Sequence, residues 1–113
     1  MPNQRLADRY AKSLVDLATE QSVLDAAYAD MKFIKALGSA SSELVSILKS
    51  PIFHVDQKNK ILHALTDGKV ASLTSSFLNL LVKKGREASL LEIADAFISQ
   101  YNTLKGIHQV TLT

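Results

Sequence analysis

Apolar residues fall into six blocks with helical spacing, separated by short breaks. In the first, about residues 4–20, Leu6, Ala7, Tyr10, Ala11, Leu14, Val15, Leu17 and Ala18 recur at i, i+3, i+4 and i+7. At about 100° per residue they sweep about 180° of the helix, wider than a stripe facing one core. Ser22 reads as the N-cap of a second helix, with Asp25 completing a variant capping box. Leu24, Ala27, Tyr28, Met31, Ile34 and Leu37 form its stripe, and Gly38 reads as its stop. The Ser39–Ser42 cluster reads as loop and cap. A short third helix follows, with Leu44, Val45, Ile47 and Leu48 inward. Ser50-Pro51 breaks it, because the residue before proline is pushed out of the α region. Ile52 and Phe53 read as loop residues plugging the core.

The fourth block predicts a helix over about residues 55–66, with Ile61, Leu62 and Leu65 buried and Asp56 and Gln57 at its positive end. Asp67-Gly68 reads as a turn. The fifth, about residues 70–84, is the most apolar. Val70, Ala71, Leu73, Phe77, Leu78, Leu80, Leu81 and Val82 cover half its circumference or slightly more. Lys83, Lys84, Gly85 and Arg86 then stop it, since cations suit the last turn and glycine the left-handed position beyond. The sixth helix covers about residues 87–105, with Leu90, Leu91, Ala94, Phe97, Ile98, Tyr101 and Leu104 as its stripe and Gly106 as its stop. IHQVTLT at 107–113 is β-branched and alternating. It reads as the first strand of a second domain that this chain lacks, because a lone strand has no partner. The expected architecture is all-α: a six-helix bundle over residues 1–105, then the start of a β-strand over 106–113.

Composition adds mostly exclusions. The chain has 113 residues, 47% of them hydrophobic, a net charge of +2 and no cysteine. That suffices for one real core and removes disulfides and thiolate metal sites. No run approaches the ~18 apolar residues of a membrane span. The N-terminal MPNQRLADRYAK lacks the apolar region of a signal peptide and carries Asp8 early, unlike a transit peptide, which predicts a cytosolic product.

Catalytic chemistry is not legible. His54, His63 and His108 have no carboxylate at ligand spacing, and no GxSxG, GxGxxG or P-loop pattern occurs. Asp16, Glu20, Asp25, Asp30, Glu43, Asp56, Asp67, Glu87, Glu92 and Asp95 fall mainly on polar helix faces, where solvation is the default expectation. Arg5, Arg9 and Lys12, Lys58 and Lys60, and Lys83, Lys84 and Arg86 form cationic groups. Acids interleave with them and no aromatic stacking surface accompanies them. The fifth helix has Ser72, Ser75, Ser76 and Asn79 on its polar face rather than the basic band of a membrane-surface helix.

Several segments carry a resemblance. RYAKSLVDLATEQ at 9–21 and LDAAYADMK at 24–32 are similar to the opening of the δ subunit of bacterial F-type ATP synthase, homologue of the mitochondrial oligomycin-sensitivity-conferring subunit. SPIFHVDQKNKIL at 50–62, LTSSFLNLLVKKGR at 73–86, LLEIADAF at 90–97 and the terminal KGIHQVTLT extend it over essentially the whole chain. His54 departs from the family pattern, standing where Ser or Thr would cap a helix.

The resemblance implies a six-helix N-terminal domain with helices one and five central. It implies a groove between them gripping the N-terminal helix of an α subunit, and a C-terminal domain that meets b-type stalk subunits. It further implies a non-catalytic stator part without nucleotide, metal or cofactor, peripheral to the cytoplasmic face of a bacterial inner membrane. A groove of that kind needs one face of each helix for the core and another for the guest. The wide arcs of helices one and five fit this requirement. Simple burial in a bundle would also account for them. On helix one the candidate edge is Leu6, Tyr10, Ser13 and Leu17; on helix five it is Leu73, Phe77, Leu80 and Lys84, with Ala71, Leu78 and Val82 as the alternative edge. Tyr10 has the ring and polar tip of an interface anchor, and Ser13 allows close backbone approach. Two other readings are an RNA-binding helical bundle of the antitermination-factor type and a generic helical adaptor.

Overall fold

The computed structural model describes residues 4–106. Its elements are α1 (Gln4–Glu20), α2 (Leu24–Ala40), α3 (Ser42–Lys49), α4 (Val55–Thr66), α5 (Ser72–Lys83), a 3-10 turn (Glu87–Ser89) and α6 (Leu90–Lys105). The all-α bundle is therefore as the periodicity predicts. The strand expected over 107–113 lies outside the described residues.

Ser22 does not cap α2. It adopts φ +61° and closes α1 instead. The Val23 N–H donates to Ala18 O at 2.8 Å and the Ser22 N–H to Thr19 O at 3.1 Å, the paired bonds of a Schellman ending. Serine occupies the left-handed position where glycine is usual. α2 starts at Leu24 with Val23 at its N-cap position and no side-chain cap, and Asp25 bonds elsewhere.

Gly38 does not end α2, which runs on to Ala40. A β-carbon built at Gly38 would lie 2.6 Å from Leu91 Cδ1, so its glycine character admits α6 close to the helix. Ser41 then caps α3, its hydroxyl accepting from the Leu44 N–H at 3.1 Å. Ile52 and Phe53 do not plug the core; Ile52 is 87% exposed. His54 caps α4 although it is neither Ser nor Thr. Its Nδ1 accepts from the Asp56 N–H at 3.4 Å, and its own N–H donates to Gln57 Oε1 at 2.8 Å. A Thr66–Lys69 reverse turn ends the segment, with Gly68 at φ +73° and the Lys69 N–H donating to Thr66 O. Gly85, at φ +72°, ends α5 through the Arg86-to-Leu81 and Gly85-to-Val82 bonds.

One hydrophobic core unites the helices. α1 contributes Ala7, Ala11, Leu14, Val15 and Ala18; α5 contributes Phe77, Leu78, Leu81 and Val82. α6 shares the centre, burying Leu90, Ile93, Ala94, Ala96, Phe97 and Tyr101. It packs along α1 and along α2, while α5 packs chiefly on α4. The small residues on α1 allow α6 to approach closely. α2 and α6 are further joined by the Lys35–Asp95 ion pair and by stacked Tyr28 and Tyr101 rings, with centroids 3.8 Å apart.

Two carboxylates expected in solvent are buried. Glu87 pairs with Lys58 at 2.7 Å, with both side chains under 10% exposed, and Lys58 Nζ also donates to Leu48 O at 3.0 Å. One ammonium thus ties α3, α4 and the 3-10 turn together. Asp30 is buried on α2, and its Oδ2 accepts from the Ala71 N–H at 2.9 Å and the Thr74 hydroxyl at 2.7 Å.

Candidate partner-binding surface

The apolar arc of α1 is wider than the face it buries. Taking Leu6 as zero at about 100° per residue, the buried residues occupy about 80–180°. Leu6, Tyr10, Ser13 and Leu17 lie at about −20 to 40°, on the flank of that face. Leu6 and Tyr10 are half-buried, Ser13 is exposed, and Leu17 remains 42% exposed. α5 repeats the arrangement. From Leu73 as zero, its buried residues span about 40–180°, whereas Leu73, Leu80 and Lys84 lie within about 20° of zero. Leu73 is half-buried, Lys84 is exposed and Leu80 is 40% exposed.

Phe77 is placed differently from its companions. It is 4% exposed and belongs to the core, so it backs the α5 edge from inside rather than presenting it. The alternative edge fares worse as a surface, because Leu78 and Val82 are both buried. Each of the two helices therefore leaves an apolar flank beside a filled core. Tyr10 and Leu73 pack against that core from these flanks.

Other chemistry is sparse. Among the described residues, no group of three or more His, Asp or Glu side chains is arranged to hold a metal ion. The cations of α1 are offset locally: Lys12 pairs with Asp16 at 3.3 Å, and Gln4 bonds Asp8 beside Arg5 and Arg9. Lys58 is committed to Glu87. A cavity of about 70 Å³ between α3, the 3-10 turn and α6 is lined by Val45, Leu48, Lys49, Glu87, Ala88, Leu91 and Glu92. The phenol of Tyr101 is held above its ordinary value, chiefly by donating to Asp25 Oδ1 at 2.8 Å and then by burial. Among the described residues, no helix is long and apolar enough to cross a membrane.

The family model described as ATP synthase delta (OSCP) subunit matches residues 6–113. The chain belongs to this family. A protein of Cytophaga hutchinsonii named ATP synthase subunit delta is 47% identical over 113 residues, covering 100% of this chain and 62% of its own length. Proteins of the same name from Amoebophilus asiaticus and Geobacter metallireducens are 36% and 32% identical, covering 98% and 100% of this chain and 60% and 63% of their own lengths. The chain thus spans about three fifths of the length of these relatives.

Asp30 and Lys58–Glu87 are the structural residues that sequence reasoning misses. Asp30 lies on the same helical face as Ala27, Met31 and Ile34, all buried. A carboxylate there is a signal for a buried acceptor. Glu87 follows the α5 stop at Gly85 and carries no comparable periodic signal.

Proposed function

We propose that the chain is the head-binding part of a stator in an F-type ATP synthase, holding an amphipathic helix from the N-terminus of an α subunit against the flanks of α1 and α5. The observation that carries the reading is the unburied apolar flank on each helix: Leu6, Tyr10 and Leu17 on α1, Leu73 and Leu80 on α5. Family membership supports the assembly in this reading, and the flanks support the mode of docking. A guest helix would place anchors at i, i+3 and i+7 against these side chains, with Ser13 admitting its backbone and Lys84 at the rim.

The role is mechanical. A stator must resist torque, which requires buried apolar area and a slow off-rate rather than a reactive group. The further stalk contacts, to b-type subunits, belong on this reading to sequence beyond the bundle. The assembly would be peripheral to the cytoplasmic face of the bacterial inner membrane. The interleaved acids on α1 and the buried Lys58 argue against the RNA-binding alternative.

Calorimetric titration with a peptide of the α-subunit N-terminal segment from the same organism tests the reading. Micromolar binding is expected, with Tyr10→Asp weakening it while helicity and melting change little. No heat at micromolar concentrations sinks the proposal, and unfolding by Tyr10→Asp would assign Tyr10 to the core.

A further inference from the structure

α5 lacks an N-cap of its own. Its N-cap residue is Ala71, which has the extended backbone of a capping position, φ −68° and ψ 159°, but no side-chain acceptor. The acceptor comes from α2. Asp30, 7% exposed, turns Oδ2 toward both the Ala71 N–H at 2.9 Å and the Thr74 hydroxyl at 2.7 Å. The buried carboxylate also lies at the positive end of the α5 dipole.

We infer that Asp30 is a positioning residue for the partner-binding flank of α5, tethering that helix to α2 so that Leu73 and Leu80 stand ready for the guest. The inference rests on the groove reading above. Leu73 lies between the two residues that Asp30 holds, Ala71 and Thr74, so displacement of this turn moves the first anchor directly. Leu80 lies two turns further along the same flank, and pivoting at the N-terminus carries it out of line. Two hydrogen bonds converging on one buried carboxylate oxygen fix the approach of both donors, which suits a hinge stop.

A tether differs in its consequences from a simple helix cap. A local cap orders the first turn of α5 but does not fix that turn to α2. Ala71→Ser supplies such a cap, because position 71 already has capping geometry. The experiment measures amide hydrogen exchange over residues 71–75 and affinity for the α-subunit peptide in wild type, Asp30→Ala and Asp30→Ala/Ala71→Ser. Asp30→Ala is expected to accelerate exchange and weaken binding about tenfold, as when the seated state falls to about one tenth. The double variant is expected to regain exchange protection while affinity stays low. Affinity that returns with protection overturns the tether, as does wild-type affinity in Asp30→Ala. Should Asp30→Ala not fold, Asp30→Asn keeps the shape and weakens the acceptor. A smaller affinity loss at unchanged circular dichroism then supports the tether, and unchanged affinity overturns it. Absence of binding to the wild type overturns the groove reading instead, and exchange at Ala71 still reports whether Asp30 holds α5.

Discussion

At the scale of single residues, the positions that matter most are those whose surroundings contradict their residue type. Ser22 holds φ +61° with a side chain that disfavours it. Ser22→Gly removes a strain of about 1 kcal/mol, so a rise in chemical-denaturation stability of about that size is expected. The Lys58–Glu87 pair is the opposite case, a pair of charges buried together. Glu87→Ala leaves the ammonium unpaired and is expected to cost about 3–5 kcal/mol, while joint replacement by Met and Leu costs far less. Equilibrium urea unfolding measures both. Tyr101 provides a pH signature. Its folded phenol titrates above the unfolded value of about 10, so its contribution is fully present below about pH 10 and is lost as pH rises through the folded value. Asp25→Asn removes the principal cause of the shift, and its stability should fall less steeply above about pH 10 than that of the wild type.

At the scale of elements, periodicity locates all six helices because each buries a face set by the 3.6-residue repeat. The departures cluster where a single residue has two physical uses. Glycine ends helices by adopting positive φ, and it also admits a neighbour by having no side chain. Gly85 does the first and Gly38 the second, and only the position of Leu91 distinguishes them. Gly38→Ala is expected to fall short of the about 1 kcal/mol that helix propensity alone would add, since the Leu91 methyl groups must move aside for the new β-carbon. In a Leu91→Ala background the same change should recover that full gain, a coupling readable in a double-mutant cycle. The Ile52–Phe53 loop misleads for another reason: Pro51 separates it from the periodic segments, so hydrophobicity alone has to stand for burial. Asp30 escapes a local reading because nothing near it in sequence shows that α5, forty residues on, lacks a cap of its own.

At the scale of the whole molecule, the surplus of apolar arc on α1 and α5 is legible in the amino-acid sequence, and the fold divides it into a buried face and an open flank. The choice of edge is legible less completely. Leu6, Tyr10, Ser13 and Leu17 lie on one partly exposed flank of α1, whereas Phe77 belongs to the core behind its companions. Helical angle alone leaves Phe77 about 40° from Leu73, and only the packing of the core decides on which side of the boundary it falls. On the proposed reading the flanks take a partner helix, held mechanically, with α2 bracing α5 through Asp30.

The most direct test of this account is a residue-resolved chemical-shift map of the chain on addition of the α-subunit N-terminal peptide. The largest changes are expected at Leu6, Tyr10, Ser13 and Leu17 and at Leu73, Leu80 and Lys84, with Phe77 responding through the core. Changes concentrated instead on the exposed Ile52–Phe53 loop or on the outer face of α6, with α1 and α5 unmoved, contradict it.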